Sequence, residues 1–328
     1  MANSPFVSAA AEDDALSRRR RAILAEVRDG LSRTPRELSP KYFYDERGSR
    51  LFEEITRLPE YYLTRAEREI LVARAPEIVR SVMPRTLVEL GAGSAAKTRM
   101  LLDALVDRLV EVSYVPVDVS EEFLAETGRT LVAEYPSLRV VPVVGDISVS
   151  LDLPRTLDGP VLFAFLGSTI GNFDWTSAVA LLRRVRARMH PGDRLLLGTD
   201  LRKDAATLNA AYNDGAGVTA EFNRNMLRVL NAELGADFDV DRFEHRAFYN
   251  EPAHRIEMHL HALGDQTVHI PGMPVFTVCD GQGIRTELSH KYDRASVDAL
   301  AAAARMGVTT WFTDAGGRFA LSLLEPVR

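Results

Sequence analysis

The spacing of hydrophobic residues changes along the chain, and it begins with the period of helices. Apolar positions recur at helical spacing over 17–32 and 48–58. Thr64 then stands where a side-chain oxygen can cap a further helix that extends to Val82. The first dozen residues show no such period, and we expect them to be disordered.

From Thr86 onward, short apolar runs alternate with helical stretches. The predicted strands cover 86–90, 113–118, 138–144, 160–166 and 194–198, and a helix is predicted over 175–189, between the last two strands. The run at 160–166 is almost wholly apolar, as in a strand that is covered on both faces. Strands that alternate with helices in this way predict a parallel sheet.

After Asp200 the pattern changes. Residues 209–234 have a helical period, and the segments 255–261 and 266–270 alternate as the strands of a meander do. This inserted segment ends near Arg285.

The end of the chain returns to the α/β pattern. It predicts a helix over 296–306 and a hairpin with strands at 309–313 and 319–324, an ending that is typical of Rossmann-like methyltransferases. We therefore predict an α/β fold: a Rossmann-like class I methyltransferase sheet, mostly parallel with an antiparallel last strand, and a second α+β lobe that binds the substrate. The predicted parts are an N-terminal helical part of that lobe (1–63), the cofactor domain (64–200), the inserted lobe (201–285) and the return to the cofactor domain (286–328).

A glycine-rich turn follows the first predicted strand. Leu87–Leu90 leads into Gly91-Ala92-Gly93-Ser94, and a helical pattern starts at Lys97. Glycines let a backbone turn sharply and approach a ligand closely. With Ala96 in the last place the turn also fits the G-x-G-x-x-A pattern of dinucleotide sites, so the neighbouring acids must decide between cofactors.

Three acidic residues lie at the ends of predicted strands. Asp118 ends the second strand, where a carboxylate can bind a ribose diol, and Asp146 follows the third, where it can accept from an adenine amine. Glu89 lies just before the glycines and can face the cationic amine of a methionine tail, whereas it would repel a pyrophosphate. These acids favour S-adenosylmethionine over NAD. The simpler alternative, that they only cap exposed strand ends, stays open on this pattern alone.

Composition limits the partners. The chain has 328 residues and a formal charge of −6, and its short basic run, Arg18–Arg21, lies on a predicted helix after acidic residues, so we expect no nucleic-acid partner. No apolar run approaches the roughly 20 residues of a membrane span, and we predict neither a span nor a signal peptide. The single cysteine, Cys279, suits a reducing cytoplasm, and we expect a cytoplasmic monomer. We also expect no metal, because the alternating His254, His259 and His261 lack a matching ligand pattern.

Five segments are more specific than the glycine turn. They are Lys41-Tyr-Phe-Tyr-Asp45, Leu58-Pro-Glu-Tyr-Tyr62, Glu89-Leu-Gly-Ala-Gly-Ser94, Leu166-Gly-Ser-Thr-Ile-Gly-Asn172 and Thr286-Glu-Leu-Ser289. In this order they resemble the histidine Nα-methyltransferases of ergothioneine biosynthesis, and the likeness extends from about Leu31 to the C-terminus. The resemblance implies S-adenosylmethionine-dependent trimethylation of the α-amine of L-histidine, through its mono- and dimethylated forms, to give hercynine.

The resemblance also implies the site residues. The cofactor pocket falls on Gly91, Lys97, Asp118, Asp146 and Ile147, to which the turn itself adds Glu89 and Gly93. The histidine pocket falls on Tyr44, Tyr61, Asn172, Tyr212, Met258, Glu287 and Ser289.

Several of these side chains suit a zwitterionic amino acid. The hydroxyls of Tyr61 and Tyr212 can donate to its carboxylate, and the amide of Asn172 can orient its amine. In a strand, Glu287 and Ser289 point to the same face, where they can pair with the two imidazole nitrogens.

Methyl transfer needs alignment more than acid–base chemistry, because the methyl donor is already activated. Tyr44 and Asn172 are the candidates to take up the amine proton or to pass it to water. The alternatives are a methyltransferase for another amino acid or small amine, an NAD-dependent oxidoreductase and a non-catalytic cofactor-binding protein.

Overall fold

The computed structural model describes residues 9–109 and 111–327, with side chains from residue 17 onward. The first helix begins at Ala9, so the expected disorder is wrong for residues 9–12. The remainder of that prediction, residues 1–8, lies outside the described residues.

The chain divides into two compact units. The first comprises the described residues up to Leu51, Gly217–Ala247 and Met258–Glu287, and the second comprises Phe52–Ala216, Phe248–Glu257 and the described residues from Leu288. Residues 52–63 and 201–216, which we predict in the substrate lobe, belong to the second unit.

The helices and strands follow one another along the chain as the sequence pattern broadly predicts. The α-helices are α1 (Ala9–Leu31), α2 (Glu46–Ile55), α3 (Leu63–Val82), α4 (Arg99–Val106), α5 (Glu121–Glu134), α6 (Trp175–Arg188), α7 (Ala205–Tyr212), α8 (Val218–Leu234) and α9 (Arg294–Ala303). The strands are β1 (Arg36–Glu37), β2 (Thr86–Leu90), β3 (Val112–Asp118), β4 (Leu138–Val140), β5 (Val143–Val144), β6 (Val161–Phe165), β7 (Arg194–Asp200), β8 (Phe243–Asn250), β9 (Arg255–Ala262), β10 (Gln266–Val268), β11 (Phe276–Val278), β12 (Gly283–His290), β13 (Met306–Thr313) and β14 (Phe319–Pro326). Short 3-10 helices cover Pro40–Phe43, Thr169–Asn172 and Val240–Arg242.

The second unit contains a large, mostly parallel sheet. Its strand order is β13-β14-β7-β6-β2-β3-β4, and β5 also pairs with β3. The strands from β2 to β7 pair in parallel, whereas β14 runs antiparallel to both β7 and β13. Strands β2 and β6 are buried along their whole length, which explains the continuous apolar sequence of β6. The prediction of a mostly parallel sheet with an antiparallel last strand is confirmed.

An apolar core holds this sheet against helices α6 and α9. Leu90, Phe163 and Leu197 of the strands belong to the same buried cluster as Leu181 of α6 and Leu300 of α9. Full burial of a side chain of this size contributes about 1.5–3 kcal/mol. The core therefore fixes the strands, and the turns after their carboxyl ends are free of this packing and can carry functional side chains.

In the first unit, α8 packs against the segment that follows β1. The rings of Phe222 and Phe43 lie 4.5 Å apart between centroids, and Asn225 donates to Asp45 at 2.7 Å. A sheet of order β1-β12-β9-β8 and the antiparallel pair β10 and β11 complete the elements. Strands β8, β9 and β12 each have residues in both units.

The predicted cap of α3 is wrong. The helix begins at Leu63 with Tyr62 as its N-cap, so Thr64 lies inside the first turn. Tyr62 already has helical dihedral angles, φ −71° and ψ −22°, and its carbonyl accepts the first helical bond from the amide of Ala66 at 2.9 Å. The capping rule does not identify this helix start, because the chain already has helical dihedral angles at Tyr62, before Thr64 is reached, and no side chain caps the helix.

Two further predicted elements are each split in two. The helix predicted over 209–234 is broken between α7 and α8, where Gly217 adopts a left-handed φ of 75°. The strand predicted over 138–144 is interrupted around Pro142, which has no N–H to donate, although β4 and β5 both pair with β3. Strands β8 and β11 lie where we predict none. Most residues of β8 are polar and only its first is buried, so no apolar run marks it, and β11 has only three residues.

Gly198, in β7, has no room for a side chain. A Cβ there would stand 2.5 Å from Oε1 of Glu67 and 3.3 Å from Cα of Leu166. We expect Gly198→Ala to lower the free energy of unfolding by about 1–3 kcal/mol. Gly128→Ala in α5 is the matched control, since its nearest neighbour is Val140 Cγ1 at 3.7 Å and alanine favours a helix by up to about 1 kcal/mol. Denaturant unfolding measures both, and equal losses would contradict the close packing at Gly198.

Candidate active site

The glycine turn after β2 has the backbone shape that only glycine adopts readily. Gly91 and Gly93 have φ of 70° and 51°, in the left-handed region. The amides of Gly91 and Ala92 donate to the carbonyl of Val117 at 2.8 and 3.1 Å, which ties the turn to β3. Apart from the two chain neighbours of Gly91, no described residue has an atom within 4 Å of the place where its Cβ would stand. The turn therefore leaves room for a ligand to approach its backbone.

Asp118 lies directly beside this turn, at the end of β3. Its Oδ2 accepts from the amide of Gly93 at 3.0 Å, and its Oδ1 accepts from the amide of Ser120 at 3.1 Å. Two backbone donors thus hold the carboxylate in one orientation. Each carboxylate oxygen has a second acceptor position, so the group can still accept from the hydroxyls of a ligand.

Asp146 and Ile147 follow β5, the next strand end along this edge of the sheet. Oδ1 of Asp146 accepts from the amide and the hydroxyl of Ser148. Ile147 packs on the apolar core, and its carbonyl accepts from Arg184 at 2.8 Å. Both side chains are half-buried. An acid and an apolar side chain at adjacent positions suit a flat, polar-edged group such as a purine.

Glu89 is buried under the turn with only 3% of its surface exposed. The hydroxyls of Thr98 and Tyr114 donate to its two carboxylate oxygens. Burial raises the pKa of Glu89 to about 7, against the opposing effects of these hydroxyls and of Lys97. The carboxylate therefore holds a proton more readily than an ordinary glutamate does.

Lys97 precedes α4 and forms an ion pair that the sequence did not predict. Its Nζ lies 2.5 Å from Oε2 of Glu67, a fully buried residue of α3. The amide of Gly167 donates to the same carboxylate at 2.8 Å. Glu67 therefore joins the segment that follows the glycine turn to the turn after β6.

The turn after β6 presents Asn172. Gly167 and Ser168 have left-handed φ values of 75° and 58°, and a short 3-10 helix then ends at Asn172. A Cβ on Gly171 would lie 2.9 Å from the carbonyl oxygen of His290, so the chain needs glycine there. Within the described residues the half-buried amide of Asn172 makes no hydrogen bond. Its donors and its acceptor are available to a ligand.

Three of the predicted substrate-binding residues form one contact cluster in the second unit. The rings of Tyr61 and Tyr212 meet edge to face, with centroids 6.3 Å apart. The hydroxyl of Tyr212 lies 2.8 Å from Oγ of Ser289. All three side chains are buried.

A buried charged network lies against this cluster, and sequence reasoning missed it. Lys291 Nζ contacts Oδ2 of Asp200 at 2.8 Å. The hydroxyl of Tyr62 donates to Asp200 at 2.8 Å, and Lys203 contacts Oδ1 at 2.6 Å. Burial and the adjacent carboxylate raise the pKa of Tyr62, so its hydroxyl stays protonated. The position of Lys291, two residues after Ser289, was the signal that could have revealed it.

The remaining predicted substrate residues lie in the first unit. Tyr44 follows the 3-10 helix and meets Phe222 edge to face, with centroids 5.7 Å apart. Met258 is buried in β9, and its carbonyl accepts from Oγ1 of Thr286 at 3.2 Å. Met258 and the half-buried Glu287 therefore lie on neighbouring strands of one sheet.

His290 follows Ser289 on β12, and its side chain is neutral at neutral pH. Burial lowers its pKa to about 4, with further lowering by Arg255 and Lys291. Its Nε2 is buried without a hydrogen-bond partner among the described residues.

Within the described residues, no group of three or more histidine, cysteine, aspartate or glutamate side chains is arranged to hold a metal ion. No helix in this part of the chain is long and apolar enough to cross a membrane.

The sheet and its turns together define a class of protein. A mostly parallel sheet of order β4-β3-β2-β6-β7-β14-β13, with a glycine turn after β2 and carboxylates after β3 and β5, is the architecture of a Rossmann-like S-adenosylmethionine-dependent methyltransferase.

Comparison with known proteins narrows this class. The model of the family described as histidine-specific, SAM-dependent methyltransferases matches residues 23–326, and the chain belongs to that family. It is 48% identical to the histidine N-alpha-methyltransferase of Mycobacterium tuberculosis over 92% of this chain and 94% of that protein. It is 46% identical to the histidine N-alpha-methyltransferase of Mycolicibacterium smegmatis over the same shares. It is also 33% identical to ergothioneine biosynthesis protein 1 of Schizosaccharomyces pombe, over 71% of this chain and 31% of that protein. The predicted family is confirmed, and S-adenosylmethionine is preferred to NAD.

Asp118 is the residue that we predict to bind the ribose diol of the methyl donor. We expect Asp118→Ala to weaken the binding of S-adenosylmethionine by about 1–3 kcal/mol, the range for the loss of hydrogen bonds to a charged group. Asp118→Asn, which keeps one acceptor oxygen, is the control and should lose less. Calorimetric titration measures both, and unchanged affinity in the alanine variant would refute a ribose contact.

Glu89 should make the protein less stable as the pH rises. Its carboxyl group ionises near pH 4.3 in an unfolded chain but at about 7 in the fold, so between these values the folded state keeps a proton that the unfolded state has lost. We expect a loss on the order of 3 kcal/mol from this group over that interval, and Glu89→Gln should lack this contribution. Denaturant unfolding of both proteins from pH 4.5 to 7.5 tests this, and parallel stability curves would contradict it.

Proposed function

We propose that this protein transfers three methyl groups, one at a time, from S-adenosylmethionine to the α-amine of L-histidine. The product is hercynine, and the reaction is the first step of ergothioneine biosynthesis. The observation that carries the proposal is the 48% identity to a histidine N-alpha-methyltransferase over almost the whole of both chains. Mono- and dimethylhistidine are then intermediate substrates, and the monomeric state and cytoplasmic location are further parts of this proposal.

The proposed cofactor site uses the turns at the carboxyl edge of the large sheet. The open backbone at Gly91 and Gly93 is consistent with close approach of a ligand. We assign the ribose diol to Asp118 and the adenine to Asp146 and Ile147. The methionine amine is assigned to Glu89, and a cation there would favour the ionised carboxylate over the protonated one.

Lys97 has a different role in this proposal. Its ion pair with Glu67 keeps the ammonium group near the turn without leaving it uncompensated. The negative charge of Glu67 and the cation of Lys97 nearly cancel, so the methyl donor, which is cationic at sulfur, meets little net repulsion from this pair.

The proposed substrate contacts are those that the family resemblance implies. We assign the histidine carboxylate to the hydroxyls of Tyr61 and Tyr212, and the imidazole nitrogens to Glu287 and Ser289. Met258, which is 1% exposed, would contact the imidazole ring with its apolar side chain. A site of this kind rejects ligands that leave its polar groups unpaired.

The chemical step requires an aligned, neutral amine. S-adenosylmethionine supplies a methyl group that the amine lone pair can attack, and the sulfur keeps the electrons of the broken bond. The amide of Asn172, which has no partner within the described residues, is suited to hold the amine in line. The hydroxyl of Tyr44 is proposed to pass the amine proton to water, by giving its own proton to the water as it accepts the proton of the amine. Both partners must give way as methyl groups replace amine hydrogens.

The reaction can be tested directly. The protein is incubated with S-adenosylmethionine and each standard amino acid, and the products are analysed by mass spectrometry. Addition of up to three methyl groups to histidine alone is expected. Methylation of another amino acid or amine in place of histidine would support the alternative methyltransferase and overturn this proposal.

Asn172 should affect the chemical step more than substrate binding. Asn172→Ala should lower kcat at saturating histidine, because a misaligned amine raises the barrier itself. Asn172→Asp, which keeps an acceptor of the same shape, is the comparison variant. Steady-state kinetics separates the parameters, and a change confined to KM would make Asn172 a general binding residue.

Glu287 and Met258 should determine which side chain is accepted. Glu287→Ala removes the proposed partner of an imidazole N–H, and Met258→Val makes room for a larger ring. We expect the double variant to shift the ratio of kcat/KM for histidine and tryptophan markedly toward tryptophan. Glu287→Gln at native Met258 is the control for size. A constant ratio with both rates reduced would mean that these residues only support the fold.

A further inference from the structure

Lys291 is a fully buried cation whose three N–H donors are all engaged. Its side chain and that of Asp200 both have 0% exposure. Nζ contacts Oδ2 of Asp200 at 2.8 Å, Oγ of Ser289 at 2.8 Å and the hydroxyl of Tyr212 at 3.0 Å. It also lies 4.8 Å from the centroid of the Tyr212 ring. An ammonium group has three donors and no acceptor, so its position and its contacts are fixed.

These contacts limit what the hydroxyl of Ser289 can offer to a substrate. Its oxygen accepts from Lys291, and it shares a second hydrogen bond of 2.8 Å with Tyr212. A phenol is a better donor and a poorer acceptor than an aliphatic hydroxyl, because it is more acidic. Tyr212 is therefore the preferred donor in this bond. Both lone pairs of the Ser289 oxygen are then filled, and its own proton is what it presents.

We propose that Lys291 is a positioning residue that makes Ser289 a hydrogen-bond donor, so that the enzyme binds histidine with a neutral imidazole ring. This inference rests on the proposed function, in which Ser289 contacts one ring nitrogen and Glu287 accepts from the other. A neutral ring has one N–H for Glu287 and one bare nitrogen for Ser289. An imidazolium ring has two N–H groups, so one of them would face a hydroxyl proton and the ammonium group behind it.

The cation of Lys291 can be removed without leaving its counterion alone. Lys203 also contacts Asp200, at 2.6 Å, and Tyr62 donates to the same carboxylate. Lys203 does not contact Ser289 or Tyr212 in the described hydrogen bonds. Lys203→Met is therefore a matched control, because it removes an equal charge from the same carboxylate while leaving both hydroxyls bonded to Lys291.

Other titratable groups face this network and must be held constant. Asp200, Lys203 and Tyr62 lie on one side of Lys291, and Tyr212 and the neighbouring His290 lie close to it. Further out, the negative charge of Asp314 opposes the burial that lowers the pKa of Lys203. The guanidinium carbon of Arg318 lies 5.7 Å from the centroid of the Tyr62 ring. Glu89 titrates within the same interval, with a pKa of about 7, but it is unchanged in all the variants compared.

The kinetic test compares wild type, Lys291→Met and Lys203→Met between pH 5 and 8. The pH profile of kcat/KM reports groups of the free enzyme and free substrate, including the substrate ring, which titrates near pH 6.5. Below that pH, kcat/KM of wild type and of Lys203→Met should fall more steeply than kcat/KM of Lys291→Met. The difference should be about tenfold for each pH unit. In Lys291→Met the Ser289 oxygen regains an acceptor position, so an imidazolium ring is accepted. Profiles that are parallel in all three proteins would overturn the inference.

A measurement on wild type alone covers the case in which Lys291→Met does not fold. Histidine labelled with ¹⁵N in its ring is bound to the protein with S-adenosylhomocysteine, and the ring shifts are recorded at pH 5.5. We expect the bound ring to be neutral although the free ring is protonated. A bound but protonated ring overturns this inference alone. Absence of both histidine binding and histidine methylation overturns the proposed function and the inference with it.

Discussion

The parallel alignment of β2, β3, β6 and β7 is the constraint on which the rest of the second unit depends. Parallel strands end at one edge of a sheet, so the turns that follow them are neighbours although they are far apart in sequence. The glycine turn, Asp118 and the turn that ends at Asn172 all lie at this edge. Because the strands are held by a continuous apolar core, these turns can adopt left-handed and irregular backbone conformations without loosening the sheet.

Behind this edge lies a set of buried charges, and each is compensated in its own way. Glu67 is paired with Lys97 and with a backbone amide, and Glu89 receives two hydroxyl donors. The carboxylate of Asp200 is paired with Lys203 and Lys291 and accepts a hydrogen bond from the hydroxyl of Tyr62. A buried charge without such partners would cost several kcal/mol, so these groups persist only as complete networks. They orient the side chains that we propose to contact ligands, which no apolar replacement could do.

Much of the second unit could be predicted from sequence because its signals are local. An apolar run such as 160–166 predicts a buried strand wherever it occurs, and the terminal hairpin predicts the antiparallel end of the sheet. The predictions failed where a local rule competed with the path of the chain. Thr64 has the side chain of a helix cap, but the helix has already begun at Leu63. The helical period over 209–234 continues on both sides of Gly217, so it does not reveal that the helix is broken there.

The sequence by itself determined the class of fold, the family and the identities of the proposed site residues, because these depend on period, turn chemistry and short motifs. Only the tertiary structure decided which polar groups are buried together. Glu67 and Lys97 are thirty positions apart, and Asp200 and Lys291 are separated by most of the last third of the chain. The two-residue spacing between Ser289 and Lys291 predicts at most a shared strand face. It does not mark the lysine as buried, because its pairing energy depends on a carboxylate that a different strand brings within hydrogen-bonding distance.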